Sequence, residues 1–320
     1  MPSSSPLRLM AVHAHPDDES SKAAATLAGY AARGVDVLVV TCTGGEAGDI
    51  INPAMDRPEV RRRLPQVRRE ELAAAVEILG VRQQGLGFVD SGWPGGDPPP
   101  PLPPGTFAAL PLSEAVGPLV AVVRDFRPHV MITYDERGGY PHPDHIRAHE
   151  ISRAAFTLAA DGAAHPSLGP PWQPSKLYYV HEWCGAKMRV LHDALIAEGL
   201  PSPYHDWLRE WTPERDVTHR ITTRVPCADY FDRRDDALRA HRTQIDPDSH
   251  WFAVPLALQR ELWPTEDFEL ASSVVPTSLP EDDLFAGIDA VDDSAPAAGS
   301  TVARPAPGPR PAPAATPQLR

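Results

Sequence analysis

Apolar positions along the first half of the chain fall into two alternating patterns. Residues 7–14 form a short, nearly unbroken apolar run that ends in polar side chains, as a buried strand does. Residues 20–33 then place Ala24, Leu27, Ala28 and Ala31 at i, i+3, i+4 and i+7, and Gly34 follows as a stop, which predicts a helix. Residues 35–42 (VDVLVVTC) are a β-branched strand closed by the Gly44 and Gly45 turn. A helix over 66–79 carries Leu72, Ala75, Val76 and Leu79 on one side and stops at Gly80, and residues 84–89 read as a third strand. A helix over 113–126, a buried strand over 129–134 (HVMITY) and a long helix from near Pro143 complete the readable part. This alternation predicts an α/β fold, a Rossmann-like, mostly parallel sheet with helices on both faces. Ligands of such sheets bind beyond the carboxyl ends of the strands, near the switch in strand order.

Proline alters the picture in two places. Of the 38 prolines, one cluster lies in residues 92–105 (GWPGGDPPPPLPPG), a stiff loop that is either a wall of a binding site or a surface insertion. Another fills residues 291–320, which are Pro/Ala-rich, have almost no large apolar side chain to bury and are expected to be disordered. Residues 1–290 are then the folded domain. With 30 basic against 43 acidic residues the net charge is −13. That field repels phosphate backbones, so no nucleic-acid partner is expected. No apolar run reaches the ~18–20 residues of a membrane helix, so no membrane partner is expected either. Residues 1–9 lack the pattern of a secretion signal, and Cys42, Cys184 and Cys227 are too widely spaced for a disulfide framework. A reduced, cytoplasmic chain is expected. Nothing in the pattern specifies an oligomeric partner.

Two motifs fall where the sheet should bind its ligand. His15-Pro16-Asp17-Asp18-Glu19 follows the first strand, and Tyr140-Pro141-His142-Pro143-Asp144-His145 follows the strand over 129–134. In a doubly wound sheet those two strands are neighbours, so the motifs should face each other. Asp and Pro are ordinary helix-start residues, and either motif alone reads as capping. Two of them at two adjacent strand ends point to chemistry. His15 and Asp18 are spaced i, i+3, as are His142 and His145. Two imidazoles and one carboxylate make a Zn²⁺ site with a fourth position open to water. With His15, Asp18 and His145 in that role, Asp17 is available as a base, His142 as the group that stabilises or protonates a tetrahedral intermediate, and Asp144 to orient His142. A 2-His-1-carboxylate set also suits a non-haem Fe(II) oxygenase, but there the spacing is usually His-x-Asp on a β-barrel.

The pair AHPDDE and HPDH resembles the LmbE-like, PIG-L-type family of metal-dependent de-N-acetylases and amidases. The similarity runs on through TGGE, NPAMD, LGFVDSG, FRPHVMITYDE, GGYPHPDHIRAH, SKLYYVH, RDDALRAH, TQIDP, LWPTEDFELA and LFAGI, about residues 7–289. The wider run resembles the family's amidase branch, which acts on S-conjugates of mycothiol, more than the related N-acetylglucosaminyl-inositol deacetylase. The resemblance implies one Zn²⁺ per chain, with Fe²⁺ also satisfied by the same ligands. It implies a small-molecule thiol–sugar conjugate as substrate, cleaved at its amide to a mercapturic acid and glucosaminyl-inositol. The setting would be detoxification or the trimming of a mycothiol adduct in natural-product biosynthesis.

Residue by residue, the resemblance gives His15, Asp18 and His145 as metal ligands and Asp17 as the general base. It gives His142, partnered by Asp144, as the group acting on the intermediate, Tyr140 as an aid to carbonyl polarisation, and Arg68 and Asp90 as holders of sugar hydroxyls. Lys22, one of three lysines, lies in ESSK, a feature of the amidase branch, and is expected on the acyl side. Arg68 and Glu71 also read as a plain surface i, i+3 ion pair. Glu46 either lines the site or ends a loop. His241 and Gln244, in RAHRTQ, belong to a recurring family segment without an evident physical role. His13 and the three cysteines are expected in or near the core.

Overall fold

The computed structural model describes residues 6–288, and in it the alternating pattern becomes one seven-stranded sheet. Strand β1 (Arg8–His13) leads into α1 (Asp18–Ser21) and α2 (Ala24–Ala32). Strand β2 (Asp36–Thr43) precedes α3 (Pro58–Arg62) and α4 (Leu64–Leu79), β3 (Arg82–Phe88) precedes α5 (Leu112–Phe126), and β4 (Val130–Thr133) precedes α6 (Pro143–Leu158). The second half contains β5 (Lys176–His181), α7 (Gly185–Ala197), α8 (Tyr204–Glu210), β6 (Thr223–Pro226), α9 (Phe231–Ala240), α10 (Leu256–Leu262) and β7 (Thr265–Ser273). The spatial order is β3-β2-β1-β4-β5-β7-β6. The strands are parallel as far as β5; β7 is antiparallel to β5, and β6 to β7. Residues 289–320, which include the Pro/Ala-rich segment expected to be disordered, lie outside the described residues.

The inner parallel strands β1, β2 and β4 are buried on both faces, which is why they read as unbroken apolar runs instead of alternating ones, whereas the parallel edge strand β3 is mostly exposed. In β1, Met10 and Val12 join Leu38 and Val40 of β2 against Leu119 and Val123 of α5 and Ile151 of α6. Leu9 and Ala11 face the other way and pack with Val37, Val39, Leu27 and Tyr30. Because β1 pairs with both β2 and β4, in register Leu9↔Val130, the sheet grows outward in two directions from this pair. The ends of β1 and β4 are therefore adjacent, and they carry the two motifs.

The helix expected over 20–33 is broken. Lys22 is extended (φ −133°, ψ 114°) and Ala23 left-handed (φ 66°, ψ 11°), so α1 and α2 are separate pieces. The periodicity of Ala24, Leu27, Ala28 and Ala31 is that of α2 alone. The break leaves the first amides of α2 without a cap of their own. Glu266, buried on the distant β7, supplies it: its carboxylate accepts from Ala25 N at 3.1 Å and Thr26 N at 2.8 Å. Glu266→Ala removes both acceptors and is expected to lower stability by about 1–3 kcal/mol. A denaturant melt checks it, and an unchanged midpoint would show the two amides satisfied elsewhere.

Beyond β7 the chain returns across the sheet. Lys176, fully buried in β5, meets Glu281 with Nζ to Oε1 at 2.5 Å, and the hydroxyl of Tyr178 donates to Glu281 Oε2 at 2.7 Å. Among the described residues no helix is long and apolar enough to cross a membrane.

Candidate active site

The two strand ends bring His15, Asp17, Asp18, His142, Asp144 and His145 together, and all but Asp17 are buried. Ligand atoms of His15, His142 and His145 lie within 4.8 Å of one another, as do those of His15, Asp90 and Asp144. Asp18 Oδ2 is 3.5 Å from His15 Nδ1 and 3.4 Å from His145 Nε2.

Hydrogen-bond partners fix what each ring presents. His145 Nδ1 is 2.9 Å from the carbonyl of Gly138, an acceptor, so that nitrogen carries the proton. Burial holds the His145 pKa well below its usual range, so the ring is neutral and Nε2 carries a lone pair. That lone pair is buried, has no hydrogen-bond partner and faces a carboxylate oxygen. Two electron-rich atoms in such a position repel unless a cation lies between them. His15 has a similar layout: Nε2 approaches Asp144 Oδ2 at 3.3 Å, and Nδ1 turns to Asp18. One ring nitrogen oriented by a carbonyl or carboxylate and the other toward a shared point is the arrangement of metal-binding histidines. The donor set of two imidazoles and a carboxylate thus fits a divalent transition metal.

His142 differs. It caps α6, and its Nδ1 accepts from Asp144 N at 3.1 Å, so the neutral ring carries its proton on Nε2. Burial, reinforced by His15, lowers its pKa to about 4. The expected contact from the Asp144 carboxylate to His142 is not made. That carboxylate accepts from Ser91 N at 2.9 Å and from Ser91 Oγ, and lies against His15; only the Asp144 backbone amide meets His142.

Asp17 takes a left-handed conformation at φ 109°, ψ −27°. Arg68 donates from Nη2 to Asp17 Oδ2 at 3.0 Å and to the carbonyl of Pro16 at 2.6 Å, and from Nη1 to the carbonyl of Gly45 at 2.6 Å. Gly45 has φ +65°, and a Cβ there would come within 2.2 Å of the guanidinium, so the TGGE turn needs glycine at this place. Burial pushes the Asp17 carboxyl up to about 6, with Arg68 pulling against it and Asp18 adding to it.

Arg68 and Asp90, expected to hold sugar hydroxyls, are 3% and 4% exposed. Asp90 accepts from Ala47 N and Gly92 N, each at 2.9 Å, and lies 3.6 Å from His15 Nε2. The Asp90 carboxylate and both Nη groups of Arg68 are engaged within the protein, while Arg68 Nε is buried without a partner. Glu46 supports this turn by accepting from Asp90 N at 3.0 Å. Glu71 is buried and bonds Thr243 instead of pairing with Arg68. Lys22 turns inward through the helix break and donates to Asp18 Oδ1 at 2.7 Å. Tyr140 is exposed at the rim, its ring 4.6 Å from that of His145. Gln244 donates to the carbonyl of Asp49. His13 and the three cysteines are buried, and the cysteines are free.

Four contributors were not singled out from the sequence. Tyr134 stacks on His145 with ring centroids 4.4 Å apart, and its hydroxyl accepts from Ala14 N at 2.8 Å. Ser91 holds Asp144. Glu19 is buried and accepts from Asp17 N at 3.0 Å. Trp93, the second residue of the proline-rich loop, lies with its ring 5.7 Å from that of His142, so the start of that loop is a wall of the site. The DSG run ahead of Trp93 is a turn signal that could have placed Ser91 and Trp93 at a strand end.

Residues 10–156 match the family described as PIG-L: GlcNAc-PI de-N-acetylase. The chain is 57% identical over 285 residues to a mycothiol S-conjugate amidase of Streptomyces coelicolor, an alignment spanning 88% of this chain and 97% of that one. It is 41% identical over 293 residues to a 1D-myo-inositol 2-acetamido-2-deoxy-alpha-D-glucopyranoside deacetylase of Streptomyces avermitilis, again over 88% and 97% of the two chains. Among solved structures, its fold is similar to that of N,N'-diacetylchitobiose deacetylase from Pyrococcus horikoshii, with a TM-score of 0.56 at 18% identity over 82% of this chain and 83% of that one. From its paired motifs at adjacent strand ends to its near full-length relatives, the chain belongs to the PIG-L family of de-N-acetylases.

Proposed function

We propose that the protein is a zinc-dependent amidase that hydrolyses mycothiol S-conjugates to a mercapturic acid and glucosaminyl-inositol, in detoxification of electrophile adducts. The observation that carries the substrate choice is the 57% identity to a mycothiol S-conjugate amidase, against 41% to a deacetylase of the acetylated glucosaminyl-inositol. His15, Asp18 and His145 would hold the metal. Bound Zn²⁺ supplies Lewis-acid polarisation of the amide carbonyl and lowers the pKa of water.

The remaining groups move protons. Asp17 takes the proton of the attacking water, with one oxygen fixed by Arg68 and the other free to accept it. His142, with Nε2–H directed by the Asp144 amide, donates a hydrogen bond to the charge that develops on the intermediate, and the proton taken up by Asp17 passes to the leaving amine. Tyr140 at the rim adds a hydrogen bond to the carbonyl. Lys22 offsets the charge of Asp18 at the acyl side. Arg68 and Asp90, expected to hold sugar hydroxyls, also hold Asp17 and the 90–92 turn in place.

A second reading, deacetylation of N-acetylglucosaminyl-inositol, is favoured by the 41% relative. The two substrates differ in their acyl group, so one side-by-side assay separates them. With zinc restored, a bimane conjugate of mycothiol should be cleaved with the higher kcat/KM. Acetylated glucosaminyl-inositol turning over faster than every conjugate would move the protein to the deacetylase reading.

A further inference from the structure

The RAHRTQ segment reaches a partner 222 positions away in the chain. His241 is fully buried, and its Nε2 lies 2.6 Å from Oε1 of Glu19, which is also fully buried. The other oxygen of the same carboxylate accepts the backbone N–H of Asp17 at 3.0 Å. Asp17 is the residue at φ 109°, a conformation that side chains with a Cβ rarely adopt and that persists only where the surroundings impose it. We propose that His241 is a positioning residue for Asp17, acting through Glu19; the inference rests on the reading of Asp17 as the general base.

Three further observations support it. The Glu19 carboxylate is held by His241 and by Ser20 Oγ at 2.5 Å, so it cannot turn away from the Asp17 amide without stranding a buried charge. His241 is itself fixed from behind. Thr243 donates through N and Oγ1 to Glu71 of α4 at 2.9 and 2.6 Å. The carbonyl of Thr243 accepts from Ile51 N at 2.9 Å, and Asn52 Nδ2 donates to the carbonyl of Arg242 at 2.9 Å. Thus α4 and the 50–52 loop anchor the residues beside His241. Lastly, Asp17 is held by Arg68 on the side chain, by Glu19 on the amide, and by the amides of Ser20 and Ser21 on its carbonyl, so that Glu19 is what fixes its N–H. Releasing the amide lets the peptide relax from its left-handed state and swings the carboxylate relative to the reacting carbonyl.

The test compares His241→Leu, His241→Gln and Asp17→Asn in the full chain with zinc restored. In His241→Leu, kcat on the mycothiol conjugate should fall about 10- to 100-fold, the effect of a misplacement near 1 Å. KM and zinc content should stay within about twofold of wild type, as a positioning role requires. His241→Gln keeps an N–H for Glu19 and should recover most of the loss. A crystal structure of His241→Leu should show Asp17 outside the left-handed region. Should the leucine variant fail to fold, Glu19→Asp, which keeps the charge and shortens its reach, reads the same contact. Wild-type kcat in a folded, zinc-replete His241→Leu overturns the inference, as does a glutamine variant no better than the leucine one. Turnover surviving in Asp17→Asn instead overturns the general-base reading, so the two failures are distinct.

Discussion

His145→Ala is expected to purify with most of its zinc lost, whereas Asp17→Asn keeps its zinc and turns over about 10²–10⁴-fold more slowly. The contrast follows from the different surroundings of the two side chains. His145 presents a buried, unpartnered Nε2 to Asp18, and the Gly138 carbonyl prevents the ring from offering the same lone pair elsewhere. Without the ring, the expected metal position keeps one imidazole and one carboxylate, too few for a tight site. Asp17 instead directs its carboxylate to Arg68, and its distance from the ring nitrogens is set by the left-handed turn. Asparagine keeps the side-chain oxygen for Arg68 and removes only the proton acceptor. Elemental analysis beside single-turnover rates decides both halves. Full zinc in His145→Ala, or none in a folded Asp17→Asn, would break the assignment of ligand and base.

Lys176→Met should be strongly destabilising, at about 3–5 kcal/mol. It leaves Glu281 buried and charged, with only neutral partners in Tyr178 and Thr223. For a domain of this size the melting temperature should drop by roughly 6–20 °C. Neutralising the orphan as well, in Lys176→Met with Glu281→Gln, should recover most of the loss, because well-packed neutral groups replace a buried pair at little net cost. A double variant no more stable than Lys176→Met would mean that the pair is not coupled.

The legibility of the fold ended near residue 160 for physical reasons. The strands β1, β2 and β4 lie inside a parallel sheet and announce themselves as apolar runs, and α4 and α5 are long enough to show their periodicity. Past α6 the signals weaken. Helices α8 and α10 have seven residues each, and β6 has four, of which Arg224 and Pro226 face outward. The antiparallel β7 carries Glu266, Asp267 and Glu269 for tertiary bonds, which mask its strand pattern.

The site divides in a similar way. His15, Asp17, Asp18, His142 and His145 were readable because local spacing and strand-end position both mark them. The roles of Arg68, Asp90 and Asp144 depend on partners up to 129 positions distant, such as the Asp144 contact with His15, and no spacing rule encodes those. Lys22 faces inward only because the helix breaks, and Ala23, an ordinary helix former, gives no warning of it.

The Glu266 cap on α2 also bears on when the site can exist during synthesis. Both motifs have been synthesised by about residue 150, yet the helix that follows the first motif receives its N-terminal acceptor only when residue 266 has been made. A nascent chain of half length would carry the ligand residues on a turn that is still free to wander. Completion of the strand-end site is thereby expected to wait for the final stretch of translation.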